Sequence, residues 1–188
     1  MSTIRSVFQQ QIEIPQGCTV KVEDRTVTVS GPKGTLSRTF PERFLTIAVQ
    51  NGELTASTDL RRKRARAMVG TVIAHVRNMF RGVLHGYTYE LKVVYSHFPM
   101  SIEHKGNEII IKNFIGERGV RKARVYDDIK LQIREDEIII TGIDLEHVSQ
   151  SAANIQQSLR LRGKDRRVFM DGVYVIRKRC GDQVTSVV

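Results

Sequence analysis

The sequence predicts an α+β protein built as two tandem duplicated domains, each an antiparallel β-sheet packed on one α-helix. Three observations carry this. GPKGTLSRTF at 31–40 and GERGVRKARV at 116–125 place two Gly-x-x-Gly units 85 residues apart, as duplication of one domain would. Val27 and Val29, Ile109 and Ile111, and Ile138 and Ile140 alternate with other residues, the period-two pattern of strands. Met68, Val69, Val72, Ile73, Val76, Met79, Phe80, Val83 and Leu84 recur at helical spacing, as do Val148, Ala152, Ile155 and Leu159. Each helix therefore has one apolar stripe that must cover one face of a sheet.

Taken in order, each unit reads strand, strand, turn, strand, strand, helix, strand. Gly31 to Gly34 joins TVTVS to TLSRTF, which predicts a hairpin whose Gly and Pro supply the turn angles. Leu45, Ile47 and Val49, then Leu54, precede a helical pattern from Asp59; Gly86 opens a strand-like run, YTYELKVVYSHFP, ending at Pro99. The domain boundary is placed there, giving domains 1–96 and 97–188. Ile129, Leu131 and Ile133, then Ile138 and Ile140, repeat the pattern ahead of a helix at Asp144. That second helix carries Asp144 and Glu146 at its start and Arg160 and Arg162 at its end, matching the macrodipole, and Gly163 suits a C-cap. The first helix does the opposite. It opens with Arg61, Arg62, Lys63, Arg64 and Arg66, where the dipole is already positive. Two readings stand side by side: an anion is bound there, or the long side chains reach into solvent.

A chain of 188 residues accommodates one large domain or two of roughly 90. With 40% hydrophobic and 27% charged residues it is globular, and no stretch approaches the ~18 apolar residues of a membrane span. MSTIRSVFQQQ has no apolar core of a secretory signal, and Cys18 and Cys180 suit neither a disulfide framework nor a zinc site. A reducing, cytosolic compartment is expected.

The net charge of +10 points to a polyanionic partner, nucleic acid before an acidic membrane surface. Its distribution is sharper than its total. Residues 125–159 carry a net −5, whereas RLRGKDRRVFMDGVYVIRKR at 160–179 carries eight Lys or Arg against two Asp. A solvated surface usually mixes its signs, so this segregation marks 160–179 as a candidate binding face; the bland alternative is a solvated charge run. Val168, Phe169, Val173, Val175 and Ile176 can anchor the segment, with a strand expected at Val173 to Ile176 between mobile basic loops.

Catalytic patterns are lacking. The five His form no H-E-x-x-H pair, no G-x-S-x-G elbow occurs, and Gly163-Lys164 lacks both the upstream Gly and the following Ser or Thr of a P-loop. No enzyme activity, metal or cofactor is expected. Gly-x-x-Gly also clamps single strands in KH domains, but there it joins two helices. Around Gly116 to Gly119 the cations Arg118, Arg121, Lys122 and Arg124 leave a phosphate-binding role open. The aromatic-rich strand signature of an RRM is missing.

VTVSGPKGTLSR, HVRNMFRGVLHGYTYELKVVYSHFP, NFIGERGVRKARV and KDRRVFMDGVYVIRK together span nearly the whole chain. They resemble the universal large-subunit ribosomal protein six family, called L-nine in eukaryotic naming, and NMFRGV, YSHFP and DGVYV look like its eukaryotic and archaeal branch. The family's eukaryotic members typically carry a Trp-rich insertion before the first helix, a departure here, since this chain has no Trp. The resemblance implies two tandem sheet-plus-helix domains and a structural role in the large ribosomal subunit in cytoplasmic translation. It implies as partners the large-subunit rRNA, near the sarcin-ricin loop and factor-binding region, and neighbouring ribosomal proteins, with no membrane and no obligate homo-oligomer. It also implies nucleolar passage during assembly in a eukaryote. Carried onto this chain, it puts phosphate contacts on Arg160, Arg162, Lys164, Arg166, Arg167, Arg177, Lys178 and Arg179 of the C-terminal domain, with Gly163 and Gly172 letting backbone approach RNA. Lys33, Arg118, Arg121, Lys122 and Arg124 are secondary candidates. A free-standing RNA-binding or RNA-chaperone module is the alternative.

Overall fold

The computed structural model describes residues 8–96, 98–165 and 167–187. The chain divides into two compact units, Met1–His85 and Gly86–Val188. Both are antiparallel sheets packed on a single long helix, an α+β fold.

In the first unit, strands β1 (Phe8–Glu13), β5 (Leu45–Gln50) and β6 (Glu53–Thr58) form one sheet in the order β1-β6-β5. Strands β2 (Thr19–Glu23), β3 (Thr26–Gly31) and β4 (Gly34–Thr39) form a second, in sequence order. Gly31 pairs with Gly34 across the Pro32-Lys33 turn, as the hairpin motif predicts. Helix α1 (Lys63–His85) covers both sheets with Val69, Val72, Ile73, Val76, Met79, Phe80 and Val83, all buried against Val27, Val29, Leu45, Leu54 and Ala56. Each such side chain contributes about 1.5–3 kcal/mol of burial. The helix starts at Lys63 rather than Asp59; before it, the Thr58 hydroxyl accepts the Leu60 amide at 3.3 Å.

The second unit repeats the plan. Strands β8 (Ser101–Lys105), β9 (Glu108–Lys112) and β10 (Val120–Arg124) form a three-stranded sheet. A larger sheet runs β11-β12-β7-β13-β14, from β7 (Tyr87–Val94), β11 (Lys130–Ile133), β12 (Glu137–Gly142), β13 (Gly172–Cys180) and β14 (Gln183–Ser186). Helix α2 (Leu145–Ser158) buries Val148, Ala152 and Ile155 against Leu91, Ile109, Ile111, Ile138 and Ile140. Asp144 caps it, its Oδ1 accepting the Glu146 amide at 2.8 Å.

This topology corrects the boundary at 96/97. β7 does not close the first unit; it is the central strand of the second, paired with β12 on one side and β13 on the other. Leu91 and Val93 lie in that core. The order β7-β12-β11 mirrors β1-β6-β5, so β7 is the counterpart of β1, and each repeat begins with a strand. The strand expected after the helix exists only in the second unit among the described residues, as β13. Period-two alternation shows that 87–94 is a strand, but not which sheet receives it.

Candidate nucleic-acid interface

The segment joining α2 to β13 carries the densest positive charge. Arg160, Arg162, Lys164 and Arg167 are exposed, and Gly163 adopts φ +69 with nothing within 4 Å of where a Cβ would stand. Lys164 Nζ sits 4.7 Å from the Phe169 ring centroid, a cation–π contact that half-covers Phe169. Asp165 shapes the bend: its Oδ1 accepts the Arg167 amide at 2.9 Å, and its carbonyl accepts the amides of Val168 and Phe169. Arg166 lies outside the described residues. Val168 does not anchor the loop as expected, being 68% exposed; Met170 is 59% exposed beside it. The anchor is Asp171, buried, with Oδ1 accepting the Ser96 amide at 3.0 Å. Among the described residues of this loop, four cations thus stand with two large apolar side chains on the surface.

Gly163 is not the helix C-cap. α2 ends five residues earlier, because Arg121 does the capping: its Nη1 donates to the carbonyls of Ser158 at 2.9 Å and Arg160 at 3.2 Å. The same guanidinium holds Glu117 through Nε and Nη2 and lies 4.5 Å from the Phe114 ring centroid. Arg121 therefore serves the fold, in place of the phosphate contact expected for it. Its hydrogen bond is the main cause that lowers the Glu117 carboxyl pKa; the charges of Arg121 and Lys164 add to this, against the opposing effect of burial. Lys164 is thus an electrostatic neighbour of the 116–119 segment.

In that segment the two repeats differ. Seven residues, 113–119, join β9 to β10 where two join β3 to β4, and a single 3-10 turn, Phe114–Gly116, fills part of the gap. Gly116, at φ +71, packs on Phe98, which would stand 3.3 Å from an added Cβ. Arg118 is exposed. Lys122 pairs with Glu108 at 3.0 Å across the sheet. Arg124, also exposed, lines a groove of about 270 Å³ with Asn107, Tyr126, Asp127 and Asn154.

Three cations placed in a mobile loop by the sequence are instead in β13. A bulge between Val175 and Arg177 brings Arg177 opposite Glu90, Lys178 opposite Tyr89 and Arg179 opposite Thr88. Glu90, only 15% exposed, accepts both Arg177 at 3.5 Å and Arg179 at 2.8 Å. Lys178 Nζ lies 5.5 Å from the Tyr89 ring centroid. Gly172 is buried under Tyr174, whose ring atoms would lie 3.1 Å from an added Cβ and whose hydroxyl donates to Met170 O. It offers no backbone to a ligand, contrary to expectation. Lys33 is in the first unit, where its amide donates to Val83 O and its amino group to His85 O, so it caps α1.

Sequence reasoning missed Glu90, Asp171 and Tyr174. Only Asp171 carried a signal, as one of two acids in a basic run; the other two act through a strand partner and a ring folded back on its own strand.

Residues 14–86 and 98–172 match the sequence profile of Ribosomal protein L6. The chain belongs to the ribosomal protein L6 family. It is 41% identical over 170 residues to the large ribosomal subunit protein uL6 of Aeropyrum pernix, covering 90% of this chain and 93% of that one. It is 40% identical over 175 residues to the uL6 of Methanobrevibacter smithii, covering 93% and 98%, and 42% identical over 170 residues to that of Staphylothermus marinus, covering 88% and 92%. The L6 profile falls into two segments that divide between the two units, the second beginning in the loop after β7. No helix among the described residues is long and apolar enough to cross a membrane.

Proposed function

We propose that this chain is a structural, non-catalytic component of the large ribosomal subunit in cytoplasmic translation, bound to large-subunit rRNA through its second unit near the sarcin-ricin and factor-binding region. The relatives named as large-subunit proteins support the assembly. The observation that carries the RNA contact is the 160–171 loop, where Arg160, Arg162 and Lys164 make no ion pair among the described residues and Arg167 only a loose one, at 3.8 Å to Asp165 with 94% of its side chain exposed. Cations not neutralised by a close ion pair keep most of their attraction for phosphates, and the exposed Val168 and Met170 suit the sugar and base surfaces of a folded RNA.

The contact residues are therefore Arg160, Arg162, Gly163, Lys164 and Arg167, with the exposed Arg118 and Arg124 of the same unit added and Arg166 carried by its place in the run. Arg177, Lys178 and Arg179 contribute field rather than direct contacts.

Two measurements test this. A tagged chain should sediment with large subunits through a high-salt wash; recovery only in free fractions would favour a free-standing RNA-binding module. Seven cations, Arg160, Arg162, Lys164, Arg166 and Arg167 of the loop with Arg118 and Arg124, give an expected log-log salt slope of about −5 to −6 on an rRNA fragment, at roughly 0.7–0.9 per phosphate. A slope near zero would overturn the RNA contact.

A further inference from the structure

Helix α1 runs 23 residues without an Asp or Glu and carries Lys63, Arg64, Arg66, Arg77 and Arg81. Arg61, Arg62, Lys63, Arg64, Arg77 and Arg81 are exposed and make no ion pair among the described residues. Lys63, Ala67, Gly70, Ala74, Arg77 and Arg81 succeed one another at steps of three or four, so they lie along one side of the helix, opposite the buried stripe. Cations hold both ends of this line. Between them are the smallest side chains available.

Gly70 is the telling member. A glycine within a helix costs about 1 kcal/mol relative to alanine, and the described residues supply no steric reason for it. A Cβ there would meet only Gln10 Oε1, at 3.7 Å, an ordinary contact. By contrast Gly31 and Gly142 are required by their own cores, where a Cβ would stand 2.7 Å from Val83 and Val148. Nothing among the described residues of this unit requires the bare backbone at Gly70.

We propose that the solvent face of α1 is a second RNA-binding surface, seated in the shallow minor groove of an A-form RNA duplex. Lys63 and Arg77 are separated by about 21 Å along the axis, at 1.5 Å per residue. The basic ends rest on the two phosphate ridges, and Ala67, Gly70 and Ala74 lie against the sugar floor with its 2′-hydroxyls. A-form helices are read in this way, by shape and by 2′-hydroxyl and phosphate contacts across the minor groove. A single strand fits less well, because the line has no aromatic residue on which bases would stack. The inference extends the rRNA reading to the first unit but stands on different residues.

The test uses the full chain and a short RNA duplex, with affinity measured by fluorescence anisotropy across a salt series. Arg77→Gln with Arg81→Gln should flatten the log-log slope by about 1.4–1.8, at two phosphates. Gly70→Leu should weaken RNA binding about ten-fold while the melting temperature holds or rises, since leucine favours the helix and only the close approach is lost. A DNA duplex of the same sequence, with its narrow and deep minor groove, should bind more weakly and respond less to Gly70→Leu. A control with Arg160, Arg162, Lys164 and Arg167 all changed to Gln separates the two readings. If that control flattens the slope while both α1 variants bind as wild type, the α1 surface is overturned, an acidic protein partner becomes its occupant, and the loop assignment stands. If the α1 variants flatten it and the control does not, the α1 surface holds and the loop assignment falls.

Discussion

The guanidinium of Arg121 grips the carboxylate of Glu117 at two points, Nε to Oε2 at 2.9 Å and Nη2 to Oε1 at 2.7 Å, while its remaining nitrogen closes the end of α2. One side chain thus ties β10, the 116–119 segment and the helix terminus that leads into the basic loop.

Arg121→Ala should destabilise the second unit by about 1–3 kcal/mol, since it strands hydrogen-bonding groups on both sides. Arg121→Lys should recover little, because an ammonium cannot hold a carboxylate and two carbonyls in one plane. Thermal melts of the two variants check this, and a lysine variant matching wild type would refute it.

The same pair predicts a pH dependence. Glu117 is held below its ordinary pKa in the folded state, so its pairing stabilises the fold in full above the ordinary carboxylate range and is lost as pH falls through the folded value. Stability should drop below about pH 4 with a contribution that Glu117→Gln removes. Melting curves of both proteins between neutral pH and pH 3 measure it; identical acid slopes would show that the pairing is without effect.

Arg177 and Arg179 share Glu90 within β13, so they should count little toward phosphate binding. Arg179→Gln should leave the salt slope on an rRNA fragment unchanged, whereas Arg162→Gln should flatten it by about 0.7–0.9. Hydrogen exchange adds an independent measure: amides of Val173 and of Arg177 to Arg179 should be protected in the free protein, and those of Arg162 to Lys164 fast. Equal slopes for the two variants would sink the distinction.

The tip of the β3–β4 hairpin docks on the end of α1, with Gly31 against Val83 and Lys33 on His85 O. Gly31→Ala should cost about 1–3 kcal/mol through overpacking. Lys33→Met should cost less and leave RNA affinity unchanged; a loss of affinity would return Lys33 to the interface.

Division of the chain between His85 and Gly86 should yield two pieces that each melt cooperatively, because each then keeps its full sheets and helix. Division after Ser96 removes β7 from between β12 and β13 and should leave the second piece unfolded. Circular dichroism melts of the four fragments decide it, and a cooperative melt of 97–188 alone would overturn the assignment of β7.

Period and spacing alone determined that the chain alternates strands with two amphipathic helices in a duplicated α+β plan, and that its charge gathers after the second helix. These are local properties: each residue's neighbours in sequence decide its periodicity, and the stripe on α1 from Val69 to Val83 is buried as its spacing requires. Tertiary structure decided everything that depends on which elements meet. It gave β7 to the second unit, because a strand's pattern shows the face it buries and not the strands beside it. It sorted the cations as well. Arg121, Arg177 and Lys33 look like Arg162 in sequence, yet a helix end, a strand partner and a neighbouring helix occupy them, while Arg162 pairs with nothing among the described residues. A charge binds a ligand only if the fold leaves it unpaired, and pairing is set by three-dimensional distance.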